Sequence, residues 1–269
     1  MNDVLLVVVV VVALGFDFTN GFHDTANAVA TSVSTRALTP RVAVLIAAVM
    51  NFVGALISTA VAKTVGSGLI DTDLVAKNAT SGQHLLLAAL IGAITWNLFT
   101  WYLGLPSSSS HALVGGLVGA ALAANGSDGV LWDGIWHKVA LPGAISPLLG
   151  FAIAMALMLA IIWIFRRVKP GPLNRGFRWA QIASGSFMAF AHGSNDAQKT
   201  MGVIALALFT SHRIDSFYIP KYVIVGAGLA IAVGTYVGGW RIMRTMGTRI
   251  FSLEPPHGFA AQPTASALL

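Results

Sequence analysis

Two short polar cassettes interrupt sequence that is otherwise apolar enough for a bilayer: Gly21-Phe22-His23-Asp24-Thr25-Ala26-Asn27-Ala28 and Gly193-Ser194-Asn195-Asp196-Ala197-Gln198-Lys199-Thr200. A carboxylate at bilayer depth is costly unless something compensates it, so each aspartate marks a functional site. Asp24 and Asn27 are three residues apart and share a helical face, with Thr31 one turn further on. A carboxylate, an amide oxygen and hydroxyls form a hard oxygen set suited to Na⁺ or Mg²⁺. The alternative is a hydrogen-bonded helix–helix cluster, a role Asn and Thr fill often and Asp seldom. In the second cassette Asn195 and Asp196 align with His23 and Asp24, and Lys199 stands where Asn27 stood. That lysine either meets an anion or pairs with Asp196, and the two roles are compatible. His23 and His192 are candidate proton carriers, against the plainer role of packing groups held by hydrogen bonds.

A third constellation is Leu105-Pro106-Ser107-Ser108-Ser109-Ser110-His111. Proline suits the first turn of a helix, serine hydroxyls cap free N–H groups, and a helix N-terminus carries partial positive charge. Together they make a ready anion site, suited to phosphate. A bare helix cap needs fewer than four serines. The glycines at 115, 116 and 119 allow close helix packing.

Long apolar elements must position these groups. The 269 residues are 56% hydrophobic and 10% charged, with a mean hydropathy of +0.76, which describes an integral membrane protein. There is no cysteine, so thiolate metal sites and disulfides are excluded. The excess of 16 Lys and Arg over 10 acids lies in short loops, which fits positive-inside topology and argues against nucleic acid. Seven runs approach the roughly 20 residues a spanning helix needs: 4–35, 42–62, 84–104, 106–124, 139–165, 180–209 and 222–240. The first is read as a retained helix, since it lacks the basic start and cleavage pattern of a secretory signal. The first and sixth are too long for one straight span, so each is expected to be broken or strongly tilted at its cassette.

Arg36 and Arg41, the basic stretch Arg166 to Arg178, and Arg241, Arg244 and Arg249 fall on one side of this arrangement, which places them in the cytoplasm and the N-terminus outside. Asp71, Asp73, Asp128 and Asp133 fall opposite. Five spans separate the starts of the two cassette helices, so the cassettes enter from opposite faces, as in inverted-repeat transporters that bind at the midplane. The expected fold is all-α and polytopic. Residues 1–165 form a first repeat, 166–179 a cytoplasmic basic linker containing Pro170, Gly171 and Pro172, and 180–269 a second, truncated repeat.

Asn20 to Thr31 with Thr35-Arg36-Ala37-Leu38-Thr39 behind it, the repeat from Gly193 to Gly202, and Pro106 to His111 resemble the inorganic phosphate transporter (PiT) family over about residues 1–260. His23 in place of the more common Asn is similar to the bacterial low-affinity branch. The resemblance implies proton-driven symport of phosphate as a neutral metal–phosphate complex, where members with Asn are more often sodium-driven. It implies coupling-ion roles for Asp24, Asn27, Asn195 and Asp196, with His23 beside them. It further implies metal contact through Asp24 and Asp196, and phosphate contact through Ser107, Ser108, Ser109, Ser110, Lys199 and Thr200. No resident cofactor and no nucleic acid is expected. The partners are phosphate, a proton or Na⁺, Mg²⁺ carried with phosphate, and the lipid of the cell inner membrane, and a homodimer stays open. The family repeats its serine motif in the second half, and the spacing from Asp24 to Ser107, counted on from Asp196, runs past Leu269. A further segment or another subunit would supply that wall, which leaves Asp196 expected beside an open side. The rival readings are a sodium-coupled symporter, an intramembrane Ser/His/Asp hydrolase, which needs one nucleophilic serine against a base, and a partner-binding membrane subunit.

Overall fold

A computed structural model describes residues 3–60, 62, 69, 79–250 and 253–268; Asp71 and Asp73 lie outside the described residues. The long helices are α1 (Asp3–Ser34), α2 (Pro40–Ala55), α3 (Ala79–Leu103), α4 (Ser109–Asn125), α5 (Leu141–Phe165), α6 (Pro170–Thr210), α7 (Lys221–Val237) and α8 (Pro255–Leu268). The fold is all-α, and each of the seven apolar runs is helical over most of its described length. Three helical stretches, Asp3–Ser34, Ser81–Leu103 and Trp132–Phe165, are long and apolar enough to cross a bilayer, and Lys221–Val237 joins Trp240–Gly247 through a 52° bend as a fourth candidate. The shorter or more polar helices depend on packing within the bundle.

The helix breaks expected at the cassettes are absent: both cassettes lie inside continuous helices, α1 and α6. Their glycines serve close packing instead. A Cβ on Gly21 would run into the backbone of α7 at Ile231 and Thr235, and one on Gly193 into the backbone of α2 at Asn51. The reciprocal contacts match: Gly234 of α7 presses on Phe18, three residues before Gly21, and Gly54 of α2 on Phe190, three residues before Gly193. Small residues let helix backbones touch where lipid offers no hydrophobic drive to associate.

This packing makes α1 and α6 the central pair. Nearly every residue of α1 from Phe16 to Ala30 is buried, as is most of α6 from Asp196 to Thr210. α3 and α4 form an antiparallel hairpin, with Gly116 against the backbone of Ala89 and Leu86, Leu90, Leu113 and Leu117 filling the space between hairpin and bundle. Gly104, at φ +69, turns the chain between them. α5 is apolar but turns Leu148, Phe151 and Trp163 outward, each about 70% exposed, a surface suited to lipid. The basic segment after α5 is itself largely helical, because α6 begins at Pro170.

Candidate functional site

α1 and α6 run antiparallel. From one end to the other, Asp3 pairs with Arg213 just beyond α6, Thr200 Oγ1 donates to Asp17 Oδ1 at 2.8 Å, Asn20 Nδ2 donates to Asp196 Oδ2 at 3.4 Å, and Thr35 Oγ1 donates to Gln181 Oε1 at 2.6 Å. This crossing brings the two cassette carboxylates to one place. His192 Nε2 stands 3.2 Å from Asp196 Oδ2 and 3.9 Å from Asp24 Oδ2. One oxygen of each aspartate and one nitrogen of His192 all lie within 4.8 Å of one another, and all three residues are buried. Asn51 holds the other His192 nitrogen at 3.1 Å and donates to Thr235 Oγ1 at 2.7 Å, so α2 and α7 fix the ring from behind.

Asp24 Oδ1 is 2.8 Å from His23 Nδ1, and His23 Nε2 is 2.9 Å from Thr100 Oγ1 on α3. Asp196 pairs with Lys199. The ammonium therefore meets one of the two buried carboxylates, and the charge of Asp24, which faces His23 and His192, calls for a protonated histidine or a bound cation. Unpaired charge is too costly at this burial to persist. Two carboxylates and an imidazole can share a proton or ligate a metal ion.

The serine run begins α4 beside this cluster. Ser108 is the N-cap, its Oγ accepting from His111 N at 3.2 Å. Ser107 Oγ is 3.1 Å from Thr100 Oγ1 and 3.5 Å from His23 Nε2. Ser110 accepts from Lys199 Nζ, and the buried Ser109 Oγ has no partner among the described residues. A free helix N-terminus, hydroxyls and an ammonium thus converge, the elements of an anion site. A cavity of about 330 Å³ borders them, lined by Ser110, His111, Lys138, Ser146, Asn195 and Lys199 among others. Ser107, His23 and Asp24 also fall in the order of a hydrolase triad. Thr100 occupies the closer position to the imidazole, and Ser107 directs its proton there.

The structure thus gathers His23, Asp24, Asp196, Lys199 and Ser107 to Ser110 in one region, with Asn195 at the edge of the cavity. Asn27 is placed apart, in a second cavity of about 290 Å³ with Thr31, Met188, Met246 and Gln262. Thr200 is placed one turn away, on Asp17. The cassette around Asp196 meets open space at Asn195 and Lys199, which line the 330 Å³ cavity, whereas Asp196 itself is 4% exposed and closed in by Asn20, His192 and Lys199. Of these partners Asn20 comes from the first cassette helix, and His192 and Lys199 lie on α6 itself, one turn to either side of Asp196. Asp17, Asn51, Thr100 and Thr235 join this region from outside the two cassettes and the serine run, and Asn20 from the start of the first motif. Asp17 carried a signal of its own, a further carboxylate in an apolar helix; the others are single polar residues whose partners lie far away in sequence.

The profile of the phosphate transporter family matches residues 20–269. The chain is 49% identical over 267 residues to a probable low-affinity inorganic phosphate transporter of Mycobacterium tuberculosis H37Rv, covering 98% of this chain and 63% of that protein. It is 43% identical over 267 residues to the protein of the same description from Bacillus subtilis 168, covering 99% and 79%. The chain therefore spans less than two thirds of the mycobacterial relative. A solved structure, the sodium-dependent phosphate transporter, superposes with a TM-score of 0.84 at 24% identity, over 98% of this chain and 84% of that one.

Proposed function

Because this chain belongs to the phosphate transporter family, we propose that it carries inorganic phosphate across a membrane by symport, driven by protons and taking phosphate as a metal–phosphate complex. The observation that carries this is the convergence of Asp24, His192 and Asp196 with the serine-capped start of α4 and Lys199. Anion and cation sites side by side let a nearly neutral complex form, which avoids most of the cost of moving charge out of water. A divalent metal is cargo in this scheme, held through Asp24 and Asp196.

Hydrogen-bond accounting supports proton coupling. His23 links Asp24 Oδ1 to Thr100 Oγ1, and Thr100 passes the chain on to the Trp96 carbonyl at 2.9 Å, a continuous hydrogen-bonded path from the carboxylate to α3. The antiparallel cassettes and the matched glycine crossings of α1 on α7 and α6 on α2 support an inverted repeat with its site at the midplane. The basic loops put the N-terminus outside. Family and fold are those of transporters, not enzymes.

Labelled-phosphate uptake in proteoliposomes tests the coupling. Uptake should collapse with a protonophore, persist without sodium and require Mg²⁺ or another divalent ion. The sodium-dependent structural neighbour favours the second reading, in which uptake needs sodium and ignores the protonophore. A serine series tests the anion site. Ser107→Ala, Ser109→Ala and Ser110→Ala should each weaken phosphate binding about fivefold, since a neutral hydrogen bond contributes about 1 kcal/mol. Ser108→Ala should in addition lower stability by about 1 kcal/mol, as it removes the cap. Complete loss at Ser107 alone, with labelling by a serine-reactive probe, would revive the hydrolase.

A further inference from the structure

We propose that Asp17 holds one monovalent cation, a proton or a sodium ion, at a site separate from the Asp24–Asp196 pair; its place in a transport cycle rests on the reading above. Asp17 is fully buried. Its Oδ1 accepts from Thr200 Oγ1 at 2.8 Å, and its Oδ2 has no partner. Asn20 is one turn further along α1, on the same face. Its Nδ2 is committed to Asp196, and its Oδ1 is buried and likewise without a partner. Two buried acceptors three residues apart on α1 are therefore both short of something to accept from. A proton on Asp17 Oδ2, donated toward Asn20 Oδ1, answers both at once. A sodium ion taking Asp17, Asn20 and the Thr200 hydroxyl does the same with hard oxygen ligands.

Among the described residues no cation is free to do this. The charged groups within reach of Asp17 are Asp196, Lys199 and His192, all on α6. Lys199 is taken by Asp196 and Ser110, and His192 stands between the two site carboxylates with Asn51 on its other nitrogen. From α3, Asn97 Nδ2 reaches Thr19 at 3.5 Å, and the ionisable residues of that helix, His84 and Tyr102, lie near its two ends. α7 carries no ionic charge after Lys221, its first residue. A carboxylate buried this way stays charged only with a cation beside it.

The site is wired to the transport centre. Asp17–Thr200 and Asn20–Asp196 are successive rungs of the same antiparallel crossing, and Thr200 is one turn from Asp196 on α6. Filling the Asp17 site removes a negative charge one rung from Asp196 and fixes Asn20, which touches Asp196 directly. The occupancy of Asp17 thereby sets how strongly the Asp24–Asp196 pair attracts its own cation.

The test uses the purified 269-residue protein in detergent, free of phosphate, and reads the thermal unfolding midpoint. Asp24→Asn with Asp196→Asn and Lys199→Met removes the central pair together with the ammonium it holds, so no released lysine can pair with Asp17 and the outcome does not depend on phosphate binding or transport. In that background we expect a gain of about 2–4 °C, the size expected for about 1 kcal/mol of cation binding in a chain this long. In one arm the midpoint rises on adding about 100 mM NaCl to a sodium-free buffer, which identifies sodium; in the other it rises only on acidification from about pH 8 to pH 6 without sodium, which identifies the proton. Adding Asp17→Asn, which keeps the oxygen that Thr200 bonds, should remove at least two thirds of the gain. Thr200→Val in the same background should raise the sodium concentration at half effect at least tenfold, or move the pH midpoint by a unit, and it serves if the Asp17 variant does not fold. The proposal is overturned if neither treatment moves this triple variant, if Asp17→Asn leaves the gain intact and so assigns it to His192, or if Thr200→Val leaves the midpoint where it was. Failure of phosphate uptake with the Asp17-dependent gain intact would refute the transport reading and leave this site standing.

Discussion

Asp24→Asn and Asp196→Asn should each reduce phosphate uptake at least a hundredfold, the largest functional loss expected from any single change in this chain. An amide keeps the shape of the side chain and removes its charge. The geometry gives each aspartate a different set of dependants. Asp196 is buried and is the counter-ion of Lys199, whose side chain is 14% exposed, so Asp196→Asn leaves a largely enclosed ammonium without a carboxylate. Breaking one half of a buried ion pair costs about 3–5 kcal/mol, which is enough to lower the amount of folded protein. Lost uptake alone would then confuse instability with lost chemistry. Asp196→Asn combined with Lys199→Met removes both charges and should recover the folded protein without recovering uptake. Asp24 has no lysine partner; it faces His23 at 2.8 Å and His192 at 3.9 Å. Asp24→Asn should therefore spare folding and remove uptake outright. Uptake within threefold of wild type in either single variant, measured in proteoliposomes at equal protein, would return that aspartate to a packing role.

The sequence made these two carboxylates legible because membrane-depth aspartates are rare and because the cassettes repeat. It made the antiparallel crossing legible too, through the odd number of spans between them. The interior of the helices was less readable. Gly21 and Gly193 suggested breaks, since glycine is a poor helix former in water, but where another backbone presses on the helix the missing side chain is what makes contact possible. Asn27 illustrates the limit of face-sharing arguments. Three residues is a rotation near 300°, so Asn27 and Asp24 are neighbours on α1 without pointing into the same cavity. Asn51 and Thr235 were out of reach altogether, because their role depends on α2 and α7 meeting behind His192, a contact between segments far apart in the chain.

Those contacts lead to the largest structural effect expected. Gly193→Ala should destabilise the protein more than any other glycine-to-alanine change on the cassette helices, with Gly21→Ala close behind. In an exposed helix the change from glycine to alanine stabilises by about 1 kcal/mol. Here the added methyl on residue 193 meets the carbonyl, Cα and carbonyl carbon of Asn51, and that on residue 21 meets the backbone at Ile231, Gly234 and Thr235. Backbone cannot rotate out of the way as a side chain can. The helices must separate, and overpacking of this kind costs about 1–3 kcal/mol net of the propensity gain. Separation of α6 from α2 also pulls Asn51 off His192, which it holds at 3.1 Å, and so loosens the ring that stands between the two carboxylates. Gly193→Ala should accordingly lower the unfolding midpoint by several degrees and depress uptake beyond what the loss of folded protein explains. Gly15→Ala and Gly92→Ala are the controls, since a methyl at either position meets nothing within 4 Å, and both should be neutral or slightly stabilising. If Gly193→Ala behaves like Gly15→Ala in both measurements, α2 and α6 are not in backbone contact, and the arrangement that brings His192 between Asp24 and Asp196 is wrong.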